Sequence, residues 1–522
     1  MRPEVLGQYE AALADFRAGR GIEAQKRVEK LRLLAPGWPR ILLLEAYIHR
    51  AEQRFITEIR TLQCFLAGVG NSDRRLAADA WSLLGAAQVM LGEVEAGIQA
   101  YQQAADCEPD PGQKQTEISN ACFAANYADN FSAVRFQQLF DCYEGLLPTI
   151  KCEAPPVWQH EKLRIGYLSA NLREHPLAFF LWALLHGHDR KKFQVYCYSA
   201  GHCTDMMTRN LQSVSDCWRS IGDCTDVELA GQIREDEIDI LVELDGHTAG
   251  TRLSVLHYHP ALVQLSGIGY MGSTGICDTQ YFLSDPWCMA AGADAQLFFR
   301  EKLIALPTSH LCYTALKPMP PCQASPCLHN GYVTFGCFNN FSKVTDGMLL
   351  VWAELLQRLP TARLLLKHRV FDSEEGRRFI YQRMEQAGLP LERVEYQGFS
   401  MDYLQDYNQV DIALDTYPYT GGLTTCEALY MGVPVISRYG VRPGSCFGRS
   451  LLENVGLGEL AVPSAKAYID RAVGLAVDKN LLALLHERLR MMMQRSPLMD
   501  ETRYVHEVEE LYQMLWMEKG QL

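Results

Sequence analysis

The hydrophobic pattern of this chain changes period once, and the change limits what the chain can fold into. Up to about residue 150 apolar positions recur at helical spacing; past Pro155 and Pro156, in I-K-C-E-A-P-P-V-W, they gather into short β-rich runs. L-R-I-G-Y-L-S, F-Q-V-Y-C-Y-S, I-D-I-L-V-E-L and L-V-Q-L-S-G-I-G-Y alternate with segments read as amphipathic helices, Ala178 to Leu185 and Asp226 to Arg234. A second series runs Y-V-T-F-G-C-F, A-R-L-L-L-K, R-V-E-Y-Q-G, V-D-I-A-L-D-T and V-P-V-I-S. Strands alternating with helices build parallel sheets covered on both faces. The fold class is therefore α/β, with two tandem Rossmann-like domains, residues 156–312 and 313–522, behind an all-α region, residues 1–155.

In the helical region, Trp81, Leu84, Gly85, Gly97, Tyr101, Ala104 and Pro109 fall where a tetratricopeptide repeat places its large and small packing residues. Small residues let paired helices approach, aromatics fill the space beside them, and the proline stands where the second helix stops. Ala12, Gly19, Ala24 and Pro36 fit a weaker copy before it, and Ala124, Phe140 and Pro148 one after; Ile41 to Leu66 reads as a degenerate pair. Such a solenoid offers a groove to a peptide, or a spacer or surface for a homo-oligomer.

Charge excludes some partners. The net charge of −13 argues against nucleic acid or an anionic membrane as partner, since either needs a basic face, and leaves room for a local basic pocket. No apolar run approaches 18 residues and the start is polar, so no membrane span and a cytoplasmic protein are expected. The 17 cysteines form no C-x-x-C and sit in apolar stretches, as reduced core thiols do.

Chemistry concentrates at the carboxyl ends of the strands. After V-D-I-A-L-D-T comes Y-P-Y-T-G-G-L-T-T-C-E-A-L-Y-M, a glycine loop opening a helix whose N-terminus suits phosphate. Gly421 and Gly422 would let the backbone approach an anion, the Thr424 and Thr425 hydroxyls would add hydrogen bonds, Leu423 belongs to the same nucleotide-sugar-binding stretch, and Glu427, read in the first helical turn, suits ribose hydroxyls. A glycine turn with a threonine cap is an equal reading of that stretch alone. In G-C-F-N-N-F-S-K, Asn340 and Lys343 follow a strand at the same edge, where a lysine can neutralise a diphosphate leaving group. On the other side of the expected cleft, His175 follows the first strand, and Asp245, His247, Tyr270, Gly272, Ser273 and Thr274 lie in two further strand-end loops. An imidazole there could accept a proton from an attacking hydroxyl.

Taken in order, R-I-G-Y-L-S-x-x-x-x-x-H-P, D-I-L-V-E-L-D-G-H-T, G-Y-M-G-S-T-G, F-G-C-F-N-N-F-S-K and D-T-Y-P-Y-T-G-G-L-T-T-C-E-A-L-Y-M-G-V-P resemble the O-GlcNAc transferase family of protein glycosyltransferases. The resemblance implies a repeat domain ahead of a two-domain GT-B region, and inverting, metal-independent transfer of GlcNAc or another hexose from a UDP-sugar to Ser or Thr of an acceptor protein. It implies no cofactor, in keeping with the absence of D-x-D. By position, His175 matches the family's proposed base, Asn340 a glutamine beside the donor, Lys343 the diphosphate-binding lysine and Glu427 the ribose-binding acid. Q-G-F-S-M-D-Y-L-Q-D-Y matches the base-binding segment, with Gly398 at its start and Tyr403 for a stacking histidine; Asp406 stands where other members carry arginine. Related branches transfer glucose to asparagine or use GDP-fucose, and the pocket residues are compatible with either. A reading of another class is a repeat scaffold with a non-catalytic nucleotide-binding region; the joint presence of His175, Lys343 and Glu427 favours the enzyme.

Overall fold

The computed structural model describes residues 2–69, 73–149 and 155–520. Packing groups the chain into two compact units, one of residues 1–129, 340–353 and 366–400, the other of 130–339, 354–365 and 401–522.

The first unit carries helices Pro3–Arg17, Gly21–Leu34, Pro39–Ala51, Phe55–Val69, Arg74–Met90, Val94–Cys107 and Pro111–Ala125, each packed on the next. These include the expected pairs up to and including the strongest repeat, the degenerate one among them; of the last expected copy, Ala124 lies on Pro111–Ala125 here, while Phe140 falls on a helix of the second unit. Close approach in the strongest repeat comes from two glycines: a Cβ on Gly97 would lie 2.9 Å from the Gly85 carbonyl oxygen, and one on Gly85 3.1 Å from the Tyr101 ring. The same unit includes the segment with Lys343 and the helix Glu374–Gln386.

The second unit opens with helix Ala133–Glu144, whose Phe136 and Phe140 pack on Phe298 and His247, and whose Asp141 and Glu144 pair with Arg300. The strands of the first sheet are β1 (Leu163–Ser169), β2 (Phe193–Ser199), β3 (Cys217–Ser220), β4 (Ile240–Glu243), β5 (Val263–Ser266), β6 (Tyr281–Ser284) and β7 (Lys302–Ala305). They are parallel and ordered β3-β2-β1-β4-β5-β6-β7. The second sheet contains β8 (Thr334–Cys337), β9 (Arg363–Lys367), β10 (Val394–Gln397), β11 (Ile412–Leu414), β12 (Val435–Arg438) and β13 (Ala461–Val462), ordered β10-β9-β8-β11-β12-β13. Strands β3, β6, β7 and β13 went unread in the sequence; each is two to four residues long and gives no periodic signal.

Helix Ala178–Gly187 is buried at Ala178, Phe179, Phe180, Leu181, Ala183, Leu184 and Leu185, so it is not the amphipathic surface helix expected. Its outer side is covered by the C-terminal helix Glu501–Gly520, which returns to the first sheet's lobe. There Glu509 accepts from His188 Nδ1 at 3.0 Å and the Asp189 amide at 2.7 Å, Tyr167 hydroxyl meets His188 Nε2 at 2.8 Å, and Tyr504 donates to the His310 carbonyl at 3.0 Å. Buried Tyr504, Val505, Val508, Tyr512 and Leu515 supply the apolar part, each worth roughly 1.5–3 kcal/mol when fully removed from water. Of the 16 described cysteines all are free thiols, but Cys64, Cys142, Cys203 and Cys277 are exposed, so the core-thiol reading holds for only part of the set. No helix among the described residues is long and apolar enough to cross a membrane.

Removing the carboxylate in Glu509→Ala leaves two donors without their acceptor, one on buried His188. We expect a loss of about 1–3 kcal/mol in chemical unfolding, with Glu509→Gln, which retains one acceptor oxygen, losing clearly less.

Candidate active site

In an open parallel sheet the crevice forms where strand order reverses, because the loops on either side of that point diverge. Here the reversals lie between β1 and β4 and between β8 and β11. The loops leaving these four strands carry His175, Asp245 and His247, Asn340 and Lys343, and the glycine-threonine stretch.

The loop after β11 is held from behind by Asp415. Its buried Oδ1 accepts from the amides of Thr416 at 2.9 Å and Gly421 at 2.7 Å, and its Oδ2 from Ser437 Oγ at 2.6 Å. Asn339 extends the latch: its Oδ1 accepts from Thr424 Oγ1 at 2.7 Å, while Thr425 Oγ1 donates to the Gly421 carbonyl at 3.0 Å. A side chain at 421 would collide with these groups, its Cβ 2.6 Å from Thr424 Oγ1 and 2.7 Å from Thr425 Oγ1; at 422 it would press on the Phe447 ring at 3.2 Å. Glycine at 421 therefore serves the loop's own packing first. Both threonine hydroxyl protons are also engaged internally. The donors best placed for an anion are then the backbone N–H groups in the first turn of helix Leu423–Tyr430, whose N-cap Gly422 offers no side-chain cap.

Glu427 is the fifth residue of the helix, which begins at Leu423, so it lies just past the first turn in which the sequence reading placed it, and it is buried. Tyr403 donates its hydroxyl to this carboxyl. Burial raises the Glu427 pKa to about 7, opposed by the Tyr403 bond and the Lys317 charge. Beside them lies a cleft of about 600 Å³ lined by Lys317, Met319, Met401, Asp402 and Tyr403, within the size range of ligand pockets.

On the β1 side, His175 is half-buried and its Nδ1 accepts from the Leu177 amide at 3.3 Å. A neutral ring in that geometry carries its proton on Nε2 and acts as a donor there. Burial, with Arg173 nearby, lowers its pKa to about 4. Adjacent Glu174 pairs with Lys317 at 2.9 Å, and its charge reaches Tyr403. The His175 loop and the Tyr403–Glu427 pair thus sit within electrostatic reach of each other. Met271, between Tyr270 and Gly272 in the loop after β5, packs with Cys446, Phe447 and Tyr419.

The remaining first-lobe candidates are buried supports. Asp245 accepts from Ser169 Oγ at 2.7 Å, the Ala170 amide at 2.5 Å and Asn171 Nδ2 at 2.9 Å, which fixes the start of the loop leading to His175. Ser273 Oγ donates to Glu301 at 2.6 Å, as do the Thr274 amide and hydroxyl. His247 is packed among Phe140, Tyr143 and Tyr270, and burial holds its pKa down at about 3.

In the other unit, Asn340 caps the 3-10 turn Phe341–Lys343, its side chain accepting from the Ser342 amide at 3.3 Å, and the Lys343 amide donates to the Asn340 carbonyl at 2.9 Å. Gly398 is a close-approach glycine: a Cβ would lie 1.8 Å from Asp372 Oδ1.

Among the described residues one trio has metal-ligand chemistry, the buried Asp285, Cys288 and His310. Its carboxylate is already occupied by the Trp287, Cys288 and His310 amides, His310 Nδ1 and Ser450 Oγ. The trio reads as a hydrogen-bond node between the end of β6 and helix Phe447–Val455.

A model of glycosyl transferase family 41 matches residues 150–315 and 322–508. The chain belongs to that family. It is 37% identical over 371 residues to a protein of Solanum lycopersicum named "Probable UDP-N-acetylglucosamine–peptide N-acetylglucosaminyltransferase SPINDLY", covering 69% of this chain and 40% of that one. A SEC protein of Arabidopsis thaliana with the same transferase name is 28% identical over 372 residues, covering 68% and 37%. The chain thus spans about 40% of the length of the plant SPINDLY relatives. Among solved structures, a lysine-to-methionine mutant of the Thermobaculum terrenum O-GlcNAc transferase superposes with a TM-score of 0.86 at 30% identity, over 100% of this chain and 99% of that one. Family membership agrees with the helical array and two parallel sheets found here.

Glu427 generates a pH prediction. Its folded pKa, about 7, exceeds its ordinary value of 4.5, so the stability of the protonated form is complete below about 4.5 and is lost as pH rises to about 7. Ligand-free native protein should lose stability across that window by up to about 1.4 kcal/mol per pH unit relative to Glu427→Gln. Melting curves against pH test this; parallel profiles for the two proteins would refute it.

Proposed function

We propose that this family 41 chain is an inverting protein glycosyltransferase that moves GlcNAc or another hexose from a UDP-sugar to a Ser or Thr hydroxyl of an acceptor protein. The observation that carries the reading is the loop after β11, where the Asp415 and Asn339 latch presents an uncapped helix N-terminus above buried Glu427. Backbone N–H groups there would bind the diphosphate, Glu427 would accept from ribose hydroxyls once the Tyr403 hydroxyl is displaced, and Tyr403 would flank the base. The relatives' printed name, peptide N-acetylglucosaminyltransferase, supports the donor and acceptor classes.

In the proposed step the acceptor oxygen attacks the anomeric carbon from the face opposite the leaving group as the bond from that carbon to the diphosphate oxygen breaks, and the hydroxyl proton is released to water or to an oxygen of the departing diphosphate. One displacement inverts that centre. Negative charge grows on the departing nucleoside diphosphate, where Lys343 and the helix N-terminus would stabilise it without a metal ion. His175, with its Nδ1 accepting from Leu177, fits an organising donor through Nε2–H better than a proton acceptor. The repeats would select acceptors, and free cysteines throughout the described chain suit a reducing, cytoplasmic setting. Acidic Asp406 in the base-binding segment, where other members have arginine, keeps a GDP-sugar as the second donor reading.

Thermal shifts with UDP, GDP, UDP-GlcNAc, UDP-glucose and GDP-fucose test the proposal. One nucleotide series should raise the melting temperature of the native chain, since a ligand at 100 times its Kd adds about 2.7 kcal/mol, and Lys343→Ala should lose most of the shift. Silence from all five at millimolar concentration would overturn the donor-binding reading, whereas nucleotide binding without sugar transfer to any candidate protein would favour the scaffold reading.

A further inference from the structure

The segment bearing Lys343 packs in the same compact unit as the helical repeats, and one guanidinium joins the two. Arg383, on helix Glu374–Gln386, is 9% exposed. Its Nη1 donates to the Leu91 carbonyl at 2.7 Å, at the C-cap of the repeat helix Arg74–Met90. Its Nη2 donates to the Val344 carbonyl at 3.2 Å and to Asp346 Oδ1 at 2.6 Å, and its Nε to the same oxygen at 3.0 Å. The guanidinium carbon lies 5.8 Å from the Phe341 ring, which packs on Phe371 at 5.8 Å. Lys343 therefore stands in a turn gripped on both sides, by Phe341 before it and by Val344 and Asp346 after it. Gly92 completes the fit: its φ is +84° and a Cβ there would lie 2.5 Å from Arg383 Nη1.

We infer that Arg383 is a positioning residue for Lys343, referencing the leaving-group lysine to the end of a repeat helix. The inference rests on the proposed role of Lys343 at the diphosphate. A planar guanidinium with fixed donor directions can hold two carbonyls and a carboxylate in one geometry, which a lysine cannot. Without it the Phe341–Lys343 turn loses its fixed distance to Leu91, and displacements of about 1 Å at a catalytic group cost on the order of 100-fold. A ligand that moves the end of helix Arg74–Met90 would reach Lys343 through the same contacts, so acceptor selection by the repeats and leaving-group stabilisation share one element.

The test is a double-mutant cycle on affinity for UDP or GDP, whichever the native chain binds, measured by calorimetry. Arg383→Ala and Lys343→Ala should each raise Kd about ten-fold or more, and the double variant should lie within about two-fold of Lys343→Ala, because Arg383 acts through the lysine. Arg383→Lys should fail to restore binding. Gly92→Ala, which displaces the guanidinium without changing charge, and Asp346→Ala, which removes one partner, should show smaller losses that also vanish in the Lys343→Ala background; these serve if Arg383→Ala does not fold. Additive losses would overturn the inference while leaving the proposed function intact. Failure of the native chain to bind either nucleotide, or binding by Lys343→Ala equal to native, would overturn the proposed function and this inference with it.

Discussion

Reversal of strand order is the constraint on which the rest of this structure depends. A parallel sheet wound in both directions from a central strand leaves neighbouring connections on opposite faces, and a crevice opens between them. The chain does this twice, at β1/β4 and at β8/β11, and places its glycine, histidine and acidic loops at those points. Everything else in the candidate site is a means of holding those loops still.

Buried carboxylates perform much of that holding. Asp415 fixes the loop opening helix Leu423–Tyr430, Asp245 the loop leading to His175, and Glu301 the Ser273–Thr274 turn. Asp411 repeats the device at the start of β8 and β11, accepting from the amides of Cys327 at 2.8 Å and Thr334 at 2.7 Å. A charge taken from water is costly unless several donors converge on it, and backbone amides supply those donors in fixed directions. Glu427 differs. Burial raises the pKa of Asp245, Glu301 and Glu427 alike, but Glu427 has one phenol as its hydrogen-bond partner where the others have several donors, as befits a group whose further partners arrive with a ligand.

Much of this was legible in the sequence because it is local. Hydrophobic period separates the repeat helices from the strands, and nine of the thirteen described strands coincide with β-rich runs. The placement of Asn340, Lys343, Gly421 to Thr425 and Glu427 at strand ends followed from the same pattern. Asp415 and Asn339 were missed as latch residues although both stand at the ends of readable strands; an acid closing V-D-I-A-L-D-T was the available signal. Arg383 had none, since nothing near it in sequence marks a helix arginine that reaches Leu91 and Val344, 292 and 39 residues away.

By itself the sequence determined the two hydrophobic periods, the alternation of strand and helix, the strand-end position of the chemistry-bearing loops and the family these loops resemble. All of these depend on residues within a few positions of one another. Only the tertiary structure decided that Gly421 yields to the protein's own threonines, that Asp245, Ser273 and Thr274 are buried supports, that His175 Nδ1 is occupied, and that the final helix covers Ala178–Gly187. Burial and hydrogen-bond direction arise from segments far apart in the chain. A side chain's pKa, tautomer and partners follow from that enclosure rather than from its neighbours in sequence.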